Sequence, residues 1–197
     1  DVIKKTNSCA VIKYEHNSNA FGWPWNYQAK QSFSLKDLEC TIDLTVKNKS
    51  NINMPVGFGI HPFFNFDDEI QLKFKAEKEW IGAPEEFPIK TKFVENNFHI
   101  NDKKKLWKIQ KTVCYENFEG EIEISWVNKN KKIKINADKV FNHLIVHVPK
   151  GGKYFCIEPV SHPTDSFNLI DKKIENIKNQ FLKPNESFTG SIKIVVN

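Results

Sequence analysis

The chain has 197 residues, 40% of them hydrophobic and 13% aromatic, which suits one globular domain with a sizeable core. Its net charge is +5, and every basic residue is a lysine. The absence of arginine argues against a nucleic-acid partner, because arginine is the residue that usually makes bidentate contacts with phosphate and guanine. No apolar run approaches the length of a membrane span, and DVIKKTNSCAVIKYEH contains no signal-like apolar block. We therefore expect no nucleic-acid and no membrane partner.

The four cysteines indicate neither a zinc site nor a disulfide framework. Cys9, Cys40, Cys114 and Cys156 are widely spaced, and none of them belongs to a CxxC pair. We expect reduced, packed thiols in a cytoplasmic protein, with no metal and no cofactor.

The first half of the chain shows the period of two that is typical of antiparallel strands. Residues 38–46 alternate apolar and polar side chains, which predicts a strand with one buried face, and residues 70–76 repeat the pattern. The stretch APEEFPIKTKF contains two prolines and is interpreted as a loop that crosses between sheets.

The second half continues the same pattern and predicts an all-β fold. Residues 144–148, LIVHV, form a continuous apolar run, which predicts a strand covered on both faces. Helical periodicity is limited to one or two turns in DKKIENIKNQF. Many antiparallel strands with short polar turns favour a β-sandwich or barrel without a domain boundary. The alternating segments are residues 122–126, 133–135 and 188–196, and the helical spacing joins Ile174, Ile177 and Phe181.

The segment MPVGFGIHPFFNF, residues 54–66, surrounds one titratable side chain with residues that shape the backbone. Gly57 and Gly59 free the backbone from the restrictions of a Cβ atom, and Pro62 keeps His61 out of the α region. The phenylalanines that follow, Phe63 among them, can wall a sugar pocket, since an aromatic ring can lie against the apolar C–H face of a sugar. Taken alone, His61 is either a buried structural histidine or one member of an acid–base pair.

The segment FCIEPVSHPTDSFN, residues 155–168, places a carboxylate at the end of an apolar run. A partly buried Glu158 is costly unless it is paired, and desolvation raises the pKa of a buried carboxyl group. Such a carboxylate is a competent general base near neutral pH. We interpret His162, Asp165 and Asn168 as turn-forming residues with a structural role.

In order and spacing, the two segments resemble the signature segments of the aldose 1-epimerases, also called galactose mutarotases. The stretch before the histidine segment and the closing NQFLKPNESFTGSIKIVV are also similar to the family, with Asn185 where the family has glycine. The resemblance implies an all-β, antiparallel galactose-mutarotase-like β-supersandwich. Residues 1–197 would form a single β-sandwich domain, equivalent to the C-terminal two-thirds of the family's domain and lacking an N-terminal portion.

The resemblance also implies a reaction, the interconversion of the α and β anomers of an aldose. The family's general acid corresponds to His61 and its general base to Glu158. Removing the O1 proton and protonating the ring oxygen opens the ring, the C1–C2 bond rotates, and closure occurs on the other face. One acid and one base on opposite sides of the sugar ring suffice, without metal or cofactor.

Two departures from the family concern the sugar contacts. Family members carry an Asn–Arg pair and another histidine in an N-terminal portion, and nothing before the histidine segment supplies them, since His16 lies in a different context. The family's Leu-Asp-x-x-Phe segment corresponds to VCYENFEG, where alignment on Phe118 puts Tyr115 at the aspartate position. We expect Glu116, one residue further, and Phe63 to contact the sugar.

Three functions are compatible with these residues. The first is an aldose 1-epimerase that acts on a hexose. The alternative is a non-catalytic sugar-binding or regulatory module on the same fold, suggested by the altered YENF stretch. The third is a sandwich domain that supports a larger carbohydrate-active enzyme.

Overall fold

The alternating segments fold into strands. A computed structural model describes residues 1–19, 22–66, 70–82, 88–94, 98–100, 111–172 and 180–197. In β7 the side chains alternate between buried and half-buried, as the sequence pattern predicts. The strands are β1 (Val2–Lys5), β2 (Cys9–His16), β3 (Tyr27–Lys36), β4 (Glu39–Asn48), β5 (Met54–Val56), β6 (Phe63–Asn65), β7 (Ile70–Phe74), β8 (Lys78–Gly82), β9 (Pro88–Phe93), β10 (Phe98–Ile100), β11 (Thr112–Glu116), β12 (Glu121–Trp126), β13 (Lys131–Ala137), β14 (His143–His147), β15 (Tyr154–Val160), β16 (Gln180–Leu182) and β17 (Ser187–Val196).

The strands form two large antiparallel sheets and one small one. The nine-stranded sheet has the order β1-β2-β3-β4-β17-β13-β12-β7-β10, and the six-stranded sheet has the order β6-β15-β14-β11-β8-β9. The two-stranded sheet pairs β16 with β5. The described helical structure is one α-helix, α1 (Ser166–Asp171), and a 3-10 turn at Val127–Lys129. The predicted all-β antiparallel fold is confirmed.

The main core lies between the two large sheets. Apolar side chains of β7, β12, β13 and β17 meet those of β11, β14 and β15, as expected for packed sheets with alternating faces. A smaller cluster lies beside the two-stranded sheet. Fully buried members of the main core include Ile70, Leu72, Ile124, Ile135, Phe141, Leu144, Phe155 and Ile157.

The outer face of the six-stranded sheet is only partly covered. On α1, Leu169 is buried together with Trp80 and Cys114, and Ile145 of β14 packs against this cluster. Because Leu144 faces the main core while Ile145 faces this cluster, β14 is covered on both faces, as the apolar run at residues 144–148 predicts. Farther along this face, Phe63 of β6 and Tyr154 of β15 are exposed, whereas Cys156 and Glu158 are buried.

Two predicted segments differ from the structure or lie outside it. The expected loop APEEFPIKTKF ends in a strand, β9, which pairs with β8 from Pro88 onward. Proline is tolerated there because the first residue of a strand need not donate to the ladder. Of the residues with helical spacing, Ile174 and Ile177 lie outside the described residues, and Phe181 lies in β16. Among the helices described, none is long and apolar enough to cross a membrane.

Candidate active site

The histidine segment docks directly onto the end of the glutamate strand. Gly59 forms an isolated antiparallel bridge with Val160 at the end of β15. One residue further along the two segments, the Ser161 N–H donates to the Phe58 carbonyl oxygen at 2.9 Å, and the Phe58 N–H donates to Ser161 Oγ at 2.9 Å. These contacts join two segments that are far apart in the sequence and set His61 beside Glu158.

The two glycines are required by this close approach. Neither Gly57 nor Gly59 has a left-handed φ, so the prediction that they supply backbone freedom is wrong. A Cβ atom on Gly59 would lie 2.5 Å from Val160 Cγ1 and 2.8 Å from the Pro159 carbonyl oxygen. A Cβ atom on Gly57 would lie 2.7 Å from His162 Cδ2. Glycine therefore lets the histidine segment pack against the glutamate strand.

The structure brings the two predicted catalytic residues into contact. Glu158 projects from β15 onto the outer face of the sheet, because its neighbours in the strand, Ile157 and Pro159, point the other way. His61 Nε2 lies 3.3 Å from Glu158 Oε1. The His61 side chain is 57% exposed and that of Glu158 only 9%. A solvent-facing imidazole thus covers a buried carboxyl group.

Burial and the neighbouring imidazole shift the pKa of the Glu158 carboxyl group in opposite directions. Burial raises the pKa of Glu158, and the neighbouring His61 lowers it, with burial the larger influence. A carboxylate with a raised pKa takes up a proton more readily than an ordinary glutamate does. The pair therefore combines a proton acceptor with an adjacent imidazole, a side-chain type that exchanges protons near neutral pH.

His61 and Glu158 lie in direct contact, so they do not flank a gap the width of a sugar ring. Both reacting oxygens, O1 and the ring oxygen, are bonded to the same carbon of an aldose. Two adjacent side chains on one side of this carbon are therefore compatible with proton transfer at both oxygens.

Phe63 lies beside the pair on the edge strand β6. Its ring stacks on His61 with centroids 4.8 Å apart and an interplanar angle of 18°. The Phe63 side chain is exposed, so one face of this stack is available to a ligand. That Phe63 contacts a sugar stays a prediction.

Tyr115 and Glu116 point to opposite faces of β11. Tyr115 is buried in the main core, where its ring meets Phe74 edge-on at 5.0 Å. Glu116 is on the outer face, opposite His143 of β14 in the register. Glu116 therefore shares a sheet face with Glu158, but β14 lies between their strands. Burial raises the pKa of Glu116, partly offset by Lys78.

Cys156 joins the pair although its sequence context did not single it out. It precedes Glu158 by two residues on β15, so both side chains face outward. The candidate ligand atoms of His61, Cys156 and Glu158 lie within 4.8 Å of one another. Nitrogen, sulfur and carboxylate oxygen are ligands that zinc accepts. Burial raises the pKa of the Cys156 thiol to about 11, so a metal would have to displace its proton.

The other polar residues of the glutamate segment have local partners or are buried. Asn168 Nδ2 donates to Asp165 Oδ1 at 2.5 Å, and Asp165 adopts a left-handed φ of 61° before α1. The His162 ring packs against Gly57, and its Nδ1 has no hydrogen-bond partner among the described residues. These contacts support the structural role expected for the three residues.

Sequence comparison relates the whole chain to one family. The model of the aldose 1-epimerase family matches residues 1–195. Among curated proteins, the uncharacterized protein YphB of Escherichia coli (strain K12) is 25% identical over 79 residues. That match covers 40% of this chain and 26% of YphB.

Structural comparison confirms the galactose-mutarotase-like fold. An Escherichia coli K12 protein provisionally assigned as an aldose 1-epimerase has a TM-score of 0.83 at 20% identity, over 100% of this chain and 67% of its own. A galactose mutarotase-like protein from Lactobacillus casei has a TM-score of 0.81 at 17% identity, over 100% and 72% of the two chains. The GalM/aldose epimerase homologue from C. elegans has a TM-score of 0.80 at 11% identity, over 100% and 68%. The chain thus spans about two thirds of the length of these structures.

Proposed function

Because the chain belongs to the aldose 1-epimerase family, we propose that it interconverts the α and β anomers of a hexose. His61 acts as the general acid and Glu158 as the general base. The observation that carries this proposal is the 3.3 Å contact between an exposed imidazole and a buried carboxyl group where the two segments meet.

The reaction needs only proton transfers that this pair can make. Glu158 accepts the O1 proton while protonated His61 donates to the ring oxygen, and the bond from C1 to the ring oxygen breaks. The C1–C2 bond of the open aldehyde then rotates. On closure His61 recovers its proton from the attacking hydroxyl, Glu158 returns its proton to O1, and the enzyme ends unchanged. Each group contributes about 10²–10⁴-fold to the rate, or about 3–5 kcal/mol of barrier.

The surroundings of the pair support binding of a sugar. Phe63 offers an exposed ring beside His61, and Glu116 offers a carboxyl group on the same sheet face. Pockets for small molecules commonly combine aromatic walls with a few polar groups. We also infer a cytoplasmic protein of carbohydrate metabolism, an inference supported by four free cysteine thiols.

Optical rotation of freshly dissolved α-glucose and α-galactose tests the proposal. The protein should accelerate the approach to anomeric equilibrium with at least one of the two sugars. Glu158→Gln should lower kcat by about 10²–10⁴-fold, because the amide cannot accept the O1 proton. Glu121→Gln, at an exposed glutamate of the nine-stranded sheet, is the matched control. A Glu158→Gln variant as active as the wild type would overturn the mechanism.

One observation favours the alternative, a module that binds sugar without turnover. Tyr115, which aligns with the family's aspartate, lies in the core, so that sugar contact depends on Glu116. Calorimetry with the same sugars distinguishes the two functions. Saturable binding without faster mutarotation would establish the alternative.

A further inference from the structure

Three side chains at the acid–base pair bring together three different metal-ligating atoms. We call His61, Cys156 and Glu158 the ligand triplet. Their imidazole nitrogen, thiol sulfur and carboxylate oxygen all lie within 4.8 Å of one another, and within the described part of the chain no other group of three such side chains does so. The proposed anomer interconversion uses the nitrogen and the oxygen but not the sulfur, so that reaction does not explain the position of Cys156.

Strand register brings the ligand triplet together from two distant segments. Cys156 and Glu158 are two residues apart on β15, so both point to the outer face of the sheet. Phe63 of β6 pairs with Cys156 in the register, and the His61 ring stacks on the ring of Phe63. This stack positions the imidazole beside the two side chains of β15.

The spacing of the ligand triplet is close to that of a tetrahedral zinc site. Zinc bonds of about 2.0–2.2 Å to nitrogen and oxygen put two such ligands about 3.3–3.5 Å apart. The observed distance between His61 Nε2 and Glu158 Oε1 is 3.3 Å. A sulfur ligand, with a zinc bond of about 2.3 Å, lies about 3.5–3.6 Å from the nitrogen. Since all three atoms lie within 4.8 Å, a shift of about 1.3 Å at most brings the Cys156 sulfur to that distance.

The chemistry of the ligand triplet selects the ion. Sulfur together with an imidazole nitrogen suits zinc, whereas magnesium and calcium prefer sites built from oxygen. Cys156 is fully buried and Glu158 is 7% exposed, so the two ligands on β15 are shielded from solvent. The His61 side chain is 57% exposed, which gives the ion a route from solvent and leaves its fourth position to a water molecule.

We propose that the ligand triplet binds one zinc ion through His61 Nε2, Cys156 Sγ and a carboxylate oxygen of Glu158. On binding, the thiol proton, and the imidazole proton where Nε2 carries one, pass to solvent as the sulfur and the nitrogen bond to the ion. The ion then occupies the lone pairs with which the acid–base pair transfers protons, so zinc inhibits mutarotation. The binding site rests on the geometry alone, and the inhibition rests on the proposed function.

Titration of the protein with Zn²⁺ and with Co²⁺ tests the site. Calorimetry should give one Zn²⁺ per chain, and Co²⁺, which accepts the same ligands and absorbs light, should show a sulfur-to-cobalt charge-transfer band that Mg²⁺ does not displace. Cys156→Ser should abolish the band and raise the Kd of Zn²⁺ at least about tenfold, because the loss of an outer-shell partner alone costs about 10–100-fold. Glu158→Gln should raise the Kd similarly but keep the band, which guards against misfolding of the serine variant. Cys40→Ser, at a half-buried cysteine of β4, is the matched control.

The binding outcomes decide the site without any measurement of activity. A band and a Zn²⁺ affinity that change in the Cys156 variant and not in the Cys40 variant support the ligand triplet. A wild type without the band, or a Zn²⁺ affinity that is equal in the wild type, Cys156→Ser and Glu158→Gln, overturns the site and leaves the proposed function standing.

Polarimetry then tests the inhibition, at a Zn²⁺ concentration that saturates the wild type but not Cys156→Ser. The fold by which Zn²⁺ slows mutarotation should be large in the wild type and in Cys40→Ser, and smaller in Cys156→Ser. Full activity of the zinc-bound wild type overturns the inhibition. A wild type that binds Zn²⁺ as expected but accelerates mutarotation of neither glucose nor galactose overturns the proposed function and supports the zinc site alone.

Discussion

Two histidine regions lie on the same face of the six-stranded sheet and differ in what surrounds them. In the edge region, His61 is exposed and touches the carboxyl group of Glu158. In the buried region, His143 of β14 is 7% exposed and lies near His162. The same side-chain type is therefore exposed beside a buried carboxyl group in one region and buried in the other, where Glu116 lies opposite it in the register.

The difference shows how burial on one sheet face disfavours the charged form of a histidine. Burial lowers the pKa of His143 to about 4, and the nearby His162 adds to this effect. Burial also lowers the pKa of His162. The histidines of the buried region are thus held neutral at physiological pH, whereas the edge region has an exposed imidazole in contact with a carboxyl group. A substitution in the edge region should affect activity, and one in the buried region should affect stability.

The largest expected effect is the loss of the acid. His61→Gln should lower kcat by about 10²–10⁴-fold, because glutamine cannot donate a proton to the ring oxygen. The free energy of unfolding should stay within about 0.5 kcal/mol of the wild type, since His61 is exposed. Polarimetry and urea unfolding measure the two quantities.

His16→Gln, in β2 of the other sheet, is the control for the loss of an imidazole. If His61→Gln kept full activity but unfolded more easily, His61 would be a structural residue and the comparison of the two regions would fail.

The next effect is a pH dependence of stability that arises in the buried region. The folded pKa of His143, about 4, lies below the ordinary value of 6.5, so its contribution to stability is complete above pH 6.5. As the pH falls from 6.5 to 4, the unfolded chain binds a proton that the folded protein does not. The free energy of unfolding should therefore fall, by about 3 kcal/mol at most. His162 acts in the same direction, and Glu116, with its raised pKa, acts in the opposite one.

Urea unfolding between pH 7.5 and pH 4.5, for the wild type and His143→Gln, measures this dependence. The curve of the variant should be flatter over that range. Equal slopes for the two proteins would mean that His143 is protonated in the folded state as readily as in the unfolded one.

The two glycines give a matched pair of variants, one for each region. Gly59→Ala forces a Cβ atom against Val160 and the Pro159 carbonyl oxygen, so the segment that carries His61 must move. Gly57→Ala forces a Cβ atom against the His162 ring instead. Each should cost about 1–3 kcal/mol of stability through overpacking. Only Gly59→Ala should also lower kcat in proportion to its displacement of His61. Equal kcat values for the two variants, measured well below their unfolding temperatures, would contradict this division.

Much of the fold could be predicted from local patterns, whereas the pairing of His61 with Glu158 was predicted from the resemblance of two segments to a known family. Alternation predicted β7, because successive side chains of a strand point to opposite faces, and the continuous apolar run at residues 144–148 predicted β14. The expected pairing of His61 with Glu158 agrees with their observed contact. The prolines of APEEFPIKTKF led to a loop prediction where β9 forms, since a proline is admissible at the first residue of a strand.

What could not be predicted depends on contacts between distant segments. Glycine is needed at positions 57 and 59 because residues 159–162 pack closely against them. No local sequence signal indicates this contact between distant segments. The contact between Tyr154 and Phe63 likewise depends on the register of β6 against β15. For Cys156 a signal was present, since it shares the strand parity of Glu158. Periodicity indicates the face to which a side chain points, and register decides what it meets there.

The smallest expected effect belongs to Glu116 of β11, which lies on the far side of the buried region from the acid–base pair. It shares the outer face with Glu158 and pairs in register with His143, but β14 separates it from the acid–base pair. Glu116→Gln should raise KM about two- to tenfold, the value of one hydrogen bond to a sugar hydroxyl, and leave kcat nearly unchanged. Initial rates over a range of sugar concentrations measure both constants, with Glu121→Gln as the control. A fall in kcat as large as that of Glu158→Gln would move Glu116 into the chemistry. The catalytic site would then extend across β14 to β11 and include the buried histidine region.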